Sequence, residues 1–203
     1  MEKQVLENYQ RYLERKALYK SFGCDVDKER EFIVTKAQPL YGHILEAGTG
    51  KGHFALSLAK QGYRFTTFDI SAEEQRFAKL TLRYFGLDNL VDFRIENGEH
   101  LSFEDGIFDM VFSVNTLHHL TNPHKVIDEF IRVLSFEGKV ILSDFSEEGF
   151  QLMDKIHASE GKTHQVSRVS LADVERYLID KGFKIEKYKS QFQEVLIAYH
   201  QLI

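Results

Sequence analysis

Residues 44–52 read ILEAGTGKG, an apolar run that leads directly into a glycine-rich turn. Gly48, Gly50 and Gly52 have no side chains, so the chain can turn sharply and bring bare backbone N–H groups against a ligand. Helical spacing resumes at Phe54, and a strand, a glycine turn and a helix in this order open a βαβ unit. The stretch therefore predicts an α/β fold with a nucleotide-type ligand on the turn.

The rest of the chain continues this alternation of strands and helices. Short runs of β-branched and aromatic residues alternate with amphipathic stretches, which predicts a mainly parallel sheet with helices on both faces. The predicted parallel strands are residues 43–46, 64–69, 91–95, 108–114 and 139–144. Two further strands, 183–189 and 194–200, have no helix between them and must form an antiparallel hairpin. The expected sheet therefore has seven strands.

Helix ends are marked by capping residues. Ser71 and Ser170 each precede an acidic residue at the third following position, the pattern of a capping box. Asn122 and Pro123 are the expected N-cap and first-turn proline of a third helix. The apolar residues of that helix, which we expect to extend to Leu134, repeat at helical spacing and predict a face packed on the sheet.

Composition excludes several classes of protein. The chain has 203 residues and a net charge of −5, which favours a single domain and argues against nucleic acid as a partner. No apolar run is long enough for a membrane helix and no signal peptide is visible, so we expect a cytoplasmic protein without a membrane partner. Cys24, the single cysteine, excludes an internal disulfide and a cysteine-based zinc site. The oligomeric state is left open.

A carboxylate follows the second strand at the position where a nucleoside ribose would lie. Asp69 comes 23 positions after Glu46 and can accept hydrogen bonds from both ribose hydroxyls. The alternative is that Asp69 only ends the strand and helps to cap the helix at Ser71. A nicotinamide cofactor is disfavoured, because its usual turn requires a third glycine where this chain has His53.

From Ile44 to Asp144 the chain resembles the class I S-adenosylmethionine-dependent methyltransferases, in particular the small-molecule branch similar to the enzymes of ubiquinone and menaquinone biosynthesis. The matching segments, in order, are ILEAGTGKG, FDIS, ENGEHLSF, FDMVFS, LHHL and RVL. The resemblance implies a Rossmann-like sheet, S-adenosylmethionine as the cofactor and methyl transfer to a small-molecule acceptor. Asn97 stands where the family usually has aspartate.

The resemblance also assigns roles to individual residues. It implies that Glu46 orients the methionine amino group, that Asp69 holds the ribose and that Ile70 flanks the adenine. The amide oxygen of Asn97 can accept the hydrogen bond that the usual aspartate accepts from the adenine amino group. The cofactor-binding residues expected in this way are Glu46, Gly48, Thr49, Gly50, Asp69, Ile70, Asn97, Gly98, Glu99 and Ser113.

The family architecture implies four segments within one domain spanning residues 1–203. An N-terminal helical cap (1–40) would fold over the cofactor and acceptor, followed by the cofactor-binding core (41–145). A lid insertion (146–169) and the last helix with the terminal strands (170–203) would complete the domain.

Two groups of residues are candidates for contact with the acceptor. His118 and His119 follow the fourth strand and are candidate general bases, although one of them could instead pack inward. In the cap and the lid, Tyr19, His157 and His164 are candidate substrate-binding residues. We expect no metal, but His157, Glu160 and His164 are an alternative set of ligands for a divalent ion.

These patterns leave more than one function open. The leading hypothesis is a methyltransferase that acts by in-line displacement at the sulfonium methyl group. The alternative is an accessory or regulatory protein that binds S-adenosylmethionine and transfers nothing. The identity of the acceptor has no fixed sequence code in proteins of this shape.

Overall fold

The computed structural model describes residues 2–161 and 169–200. Seven strands form one sheet in the order β3-β2-β1-β4-β5-β7-β6. The strands are β1 (Ile44–Ala47), β2 (Phe65–Asp69), β3 (Val91–Ile95), β4 (Phe108–Val114), β5 (Leu134–Phe145), β6 (Phe183–Lys189) and β7 (Gln193–His200). β1 to β5 pair in parallel, whereas β7 runs antiparallel to both β5 and β6. The predicted parallel sheet with a C-terminal antiparallel hairpin is confirmed.

Helices cover both faces of the sheet, as predicted. They are α1 (Lys3–Ser21), α2 (Val26–Lys36), α3 (His53–Lys60), α4 (Ala72–Tyr84), α5 (Pro123–Val133), α6 (Glu147–Ser159) and α7 (Leu171–Asp180), with short 3-10 helices at Asp88–Leu90 and Leu117–His119. Ser71 accepts a hydrogen bond from the Glu74 backbone, and Ser170 and Asp173 form a complete capping box. The predicted starts of these two helices are therefore confirmed.

The predicted start of α5 is confirmed, with Asn122 at the N-cap and Pro123 as the first helical residue, whereas its predicted end was wrong. Asn122 occupies the N-cap position, but its side chain caps no backbone group and instead donates a hydrogen bond to Glu99. Leu134 was expected on the apolar face of the helix, whereas it begins β5 and pairs with Phe108 of β4. The side chain of Leu134 is buried in the same core cluster as the apolar residues of α5, although its backbone is extended. Apolar spacing at the end of a helix therefore does not show whether a residue belongs to the helix or to the next strand.

The core lies on the two faces of the sheet. Along β5, Val140 and Leu142 belong to the cluster that contains α5 and α7, whereas Ile141 belongs to the cluster that contains α2 and α3. This alternation is the period of two that a strand imposes on its side chains. Because both faces are covered by helices, the ligand can approach only at the ends of the strands.

The N-terminal helices stand beside the carboxyl end of the sheet. The Asn8 amide on α1 donates hydrogen bonds to Thr81 Oγ1 (2.9 Å) and to the Phe77 carbonyl (3.2 Å), both on α4. The ring of Tyr9 stacks on that of Tyr84 with centroids 3.5 Å apart. The α1 helix is thus held against α4 and forms a wall of the region above the glycine turn.

Across the described ranges, none of the helices combines the length and the apolar character required to cross a membrane.

Candidate active site

A cavity of about 630 Å³ opens at the carboxyl ends of β1, β2 and β4. We call it the central cavity. It lies where the order of the sheet reverses between β1 and β4, the position at which open α/β sheets bind ligands. Its volume is within the range of small-molecule sites. All ten predicted cofactor-binding residues line it.

The glycine turn forms the floor of the central cavity. Gly48 has a φ of 84°, and a Cβ added there would lie 2.3 Å from Thr116 Oγ1, so only glycine fits. The backbone N–H groups of Gly48 and Thr49 both donate to the Phe68 carbonyl on β2. A Cβ added at Gly50 would meet no protein atom within 4 Å, among those described, so the backbone there is open to a ligand.

The carboxylate of Asp69 joins the turn to the next helix. Oδ2 accepts a hydrogen bond from Gly50 N (2.7 Å), and Oδ1 accepts one from Ser71 N (2.8 Å). The residue thus also supports the start of α4, which was the alternative reading of its role. Each oxygen retains further capacity to accept a hydrogen bond from a ribose hydroxyl. Beside it, the side chain of Ile70 is 72% exposed, an apolar surface suited to a flat ring.

Glu46 places a carboxyl group in the interior next to the turn. Its side chain is buried, and burial raises the pKa to about 8, although hydrogen bonds from Thr67 and from the Ala55 backbone act in the opposite direction. A buried carboxyl of this kind holds a proton near neutral pH until a positive charge comes close. Glu46 can therefore respond to a cationic ligand.

A hydrogen-bonded relay supports this carboxyl group. Gln75 Nε2 donates to Thr49 Oγ1 (3.3 Å), the Thr49 and Thr67 hydroxyl oxygens lie 2.6 Å apart, and Thr67 Oγ1 donates to Glu46 Oε2 (2.6 Å). All four side chains are buried. Since the single hydrogen of Thr67 is directed to Glu46, Thr49 must donate to Thr67. The relay holds Glu46 in one orientation from α4 across β2.

The segment after β3 forms the far wall of the central cavity. Asn97 Oδ1 accepts a hydrogen bond from Glu99 N (2.9 Å), so an adenine amino group would use the second lone pair of that oxygen. Glu99 accepts a hydrogen bond from Asn122 Nδ2 (2.8 Å). Both side chains are thus oriented by neighbours before any ligand is present. Gly98 packs beside Val126 of α5.

Asn115 lines the central cavity and was missed at the level of sequence. It has a φ of 53°, a left-handed conformation that asparagine tolerates better than most residues. Its Oδ1 is buried and has no hydrogen-bond partner within residues 2–161 and 169–200. A strained backbone with an unsatisfied buried oxygen at a cavity wall is typical of a ligand-binding residue. The sequence signal that could have indicated Asn115 is its position directly after the predicted fourth strand.

Arg30 is a second residue that no motif indicated. It reaches the central cavity from α2, where Nη1 donates to the Val26 carbonyl (3.0 Å). Its Nε is buried without a hydrogen-bond partner in the described part of the chain. Burial lowers the pKa of this guanidinium, which shows that the charge is poorly compensated. Arg30 is thus a half-buried cation in the lining of the site that can bind a carboxylate.

The two candidate histidines are in different environments. His118 is 4% exposed, its Nδ1 lies 2.6 Å from Asp144 Oδ1, and its backbone N–H donates to Asp144 Oδ2. It is not one of the residues that line the central cavity, whereas His119 is one of them. The structure thus places His119 in the lining of the central cavity and His118 outside that lining, in contact with Asp144 of β5.

A second cavity of about 580 Å³ lies between α1, α4 and the end of α6. We call it the helical cavity. Lys51, His53 and Glu74 line both cavities, so the two adjoin at the start of α3. Of the predicted substrate-binding residues, Tyr19 and His157 line the helical cavity, whereas His164 lies outside the described residues.

Tyr19 and Glu160, which both line the helical cavity, have protein partners. The Tyr19 hydroxyl donates to Met153 Sδ, and Glu160 pairs with Arg15. Over residues 2–161 and 169–200, no group of three or more His, Cys, Asp or Glu side chains is arranged to hold a metal ion. The alternative metal set included His164, on which the structure gives no information.

Residues 45–142 match a family model described as a methyltransferase domain. These residues belong to that family. The ubiquinone/menaquinone biosynthesis C-methyltransferase UbiE of Zymomonas mobilis is 33% identical over 146 residues, which cover 68% of this chain. The chain spans 58% of the length of that relative.

Solved structures share the fold of this methyltransferase domain. A protein of Pyrococcus horikoshii OT3 superimposes with a TM-score of 0.72 and 21% identity, covering 84% of this chain and 88% of that one. The [4+2]-cyclase SpnF gives a TM-score of 0.69 and 16% identity, covering 86% and 81%. At these identities the likeness concerns the fold.

The predicted family is therefore confirmed for the methyltransferase domain. The resemblance predicted that this domain is a methyltransferase and that its cofactor is S-adenosylmethionine. The family match agrees with both predictions.

Proposed function

We propose that this protein transfers a methyl group from S-adenosylmethionine to a small-molecule acceptor, and that residues 1–203 act as one methyltransferase domain. The observation that carries the proposal is the pair of carboxyl groups on either side of the glycine turn. Glu46 is buried at the end of β1, and Asp69 is held at the end of β2 by the backbone of the turn itself. Asp69 is suited to bind the ribose of S-adenosylmethionine, and Glu46 is suited to bind its methionine portion.

Each polar part of the cofactor has a matching group in the central cavity. Asp69 would accept hydrogen bonds from the ribose hydroxyls, and Glu46 would bind the ammonium group of the methionine portion. Arg30 would bind its carboxylate, because it lines the same cavity and its buried Nε–H has no partner among the described residues. Asn115 Oδ1, a buried acceptor without a partner in the described ranges, would take one further N–H or O–H of a ligand.

The cofactor, when bound, supplies a methyl group on a positively charged sulfur, which is already a strong electrophile. The chain has to align the acceptor with that methyl group and to keep water out. His119 stands at the central cavity and is the proposed base for an acceptor that must lose a proton. His118, paired with Asp144, is a positioning residue that holds the loop of His119.

The first test is binding of the reaction product, S-adenosylhomocysteine, measured by calorimetry. We expect a saturable 1:1 isotherm for the wild-type protein and at least about tenfold weaker binding for Asp69→Asn. Glu104→Gln, an exposed carboxylate outside the lining of the central cavity, is the matched control and should bind like the wild type. Absence of binding to the wild-type protein would refute the proposal.

A protein that binds the cofactor without transferring its methyl group is the second candidate. It is favoured by the likeness of the fold to a [4+2]-cyclase, because one fold can serve different reactions. The two candidates differ in turnover. A methyltransferase converts S-adenosylmethionine to S-adenosylhomocysteine when an acceptor is supplied, and His119→Ala slows this conversion. The second candidate predicts full binding, no conversion with any acceptor and no effect of His119→Ala on binding.

A further inference from the structure

The helical cavity has a positive lining in a protein of net negative charge. Arg11, Arg15 and Lys51 contribute three cations, against the two carboxylates of Glu74 and Glu160. The whole chain carries a net charge of −5. An excess of cations on one concave surface of an acidic protein creates a local potential that attracts anions.

The cations of this lining are only partly neutralised. Within the described residues Arg11 has no carboxylate partner, and Lys51 Nζ lies 3.9 Å from Glu74, at the limit of an ion pair. Arg15 lies over the ring of Tyr19, 5.1 Å from its centroid, and pairs with Glu160 at the end of α6. An incoming anion can take the place of the Glu160 carboxylate on Arg15, because both accept from the same guanidinium.

His53, which lines both cavities, lies in the same positive environment. Burial is the main cause that lowers its pKa, to about 3, and the nearby Arg30, Lys51, Arg15 and Lys16 lower it further. The ring is therefore neutral at physiological pH and stacks with Tyr12 at a centroid distance of 5.7 Å. Four cations act on this one half-buried position, so an anion placed next to it would be stabilised by all of them.

We propose that the methyl acceptor is a small organic anion whose carboxylate or phosphate group is held in the helical cavity by Arg11, Arg15 and Lys51. This inference rests on the proposed function and adds the charge of the substrate to it. Because the two cavities share the Lys51 and His53 walls, an acceptor anchored in the helical cavity can extend its reactive atom into the central cavity. A cationic acceptor would be repelled by the same groups.

The test uses the full chain saturated with S-adenosylhomocysteine and titrated with benzoate, methyl phosphate and benzamide. Binding is followed by two-dimensional NMR of the arginine Nε–H groups. We expect benzoate or methyl phosphate to bind and to shift the Arg15 signal, and benzamide, the neutral analogue of benzoate, to bind at least about tenfold more weakly. The stronger of the two anions identifies the chemical class of the acceptor.

Variants connect this binding to the proposed residues. Arg11→Gln and Arg15→Gln should each weaken binding of the anion at least about tenfold, with Arg15→Lys intermediate, while the affinity for S-adenosylhomocysteine changes less than about twofold. Lys20→Gln, on the same helix but outside the lining, is the matched control. Retained binding of S-adenosylhomocysteine shows that each variant is folded.

Three results would overturn the inference: no binding of either anion, equal binding of benzoate and benzamide, or anion binding that is unchanged in both arginine variants. Failure of the wild-type protein to bind S-adenosylhomocysteine would instead refute the proposed function. The two failures are therefore separable in one set of titrations.

Discussion

The proton held by Glu46 makes cofactor binding dependent on pH. With its pKa raised to about 8 by burial, this carboxyl group is about 90% protonated at pH 7 in the free protein. Binding of an ammonium group requires the carboxylate, so the complex must release that proton. We therefore expect about 0.9 proton released per cofactor bound at pH 7.

The same linkage determines the affinity. The ionised fraction of Glu46 rises about ninefold between pH 6 and pH 7, so the dissociation constant for S-adenosylhomocysteine should fall by about the same factor. Above about pH 8 the gain ends, because Glu46 is then ionised and the α-amino group of the ligand loses its own proton. Affinity should therefore be greatest near pH 8.

Calorimetry at pH 7 in two buffers of different ionisation enthalpy measures the proton release directly. Glu46→Gln should bind more weakly, release no proton and lose the pH dependence between pH 6 and pH 7. Glu74→Gln, which removes a carboxylate at the edge of the same cavity, should leave the proton release unchanged. A flat affinity over this range in the wild-type protein, or proton release that persists in Glu46→Gln, would refute the role of Glu46.

The same pKa affects folding of the free protein. The folded-state pKa of Glu46 lies above the value of about 4.5 in the unfolded chain, so the folded state binds the proton more tightly. The stability gained from this proton is complete below about pH 4.5 and is lost as the pH rises through 8. A bound cofactor should offset that loss, which thermal unfolding with and without S-adenosylhomocysteine can measure.

Three other substitutions test the geometry. Gly48→Ala should abolish cofactor binding measured by calorimetry, since the added Cβ would lie 2.3 Å from Thr116 Oγ1; binding equal to that of the wild type would contradict the close approach. His118→Phe should lower the free energy of unfolding by about 1 to 3 kcal/mol in a urea titration, because the buried Asp144 carboxylate would lose its side-chain partner and keep only the backbone N–H donors of His118 and Phe145. Asn115→Ala should weaken binding of S-adenosylhomocysteine or of the acceptor at least about fivefold, and unchanged affinity for both would exclude a ligand at Oδ1.

Much of the sheet could be predicted because its strands are short apolar runs separated by turn and capping residues. The predicted bounds of β3, β4 and β6 coincide with the observed ones. The boundary between α5 and β5 could not be placed, because Leu134 satisfies both a helical and an extended pattern. Local pattern there identifies the buried side chain but not its backbone conformation.

The candidate site could be predicted only where the residues belong to one local motif. Glu46, Asp69 and the glycine turn follow one another along the first βαβ unit, so their spacing carries information. Arg30 and Arg15 come from helices that precede the sheet and reach the cavities by tertiary packing. No periodicity in α1 or α2 distinguishes such an arginine from one that faces solvent.

Adjacent histidines present a related difficulty. His118 and His119 lie in a single 3-10 turn and differ only in which way each side chain points. The sequence offers both as bases, whereas the position of Asp144 on β5 decides that His118 turns inward.

The relay from Gln75 to Glu46 has a direction as well as a position. Thr67 donates to Oε2 of Glu46, so this contact is satisfied whether the carboxyl group is ionised or carries a proton on its other oxygen. Loss of this proton leaves every hydroxyl of the relay oriented as before. Cofactor binding can therefore change the charge of the protein interior at one carboxyl group, without reorientation of the hydroxyl groups that support it.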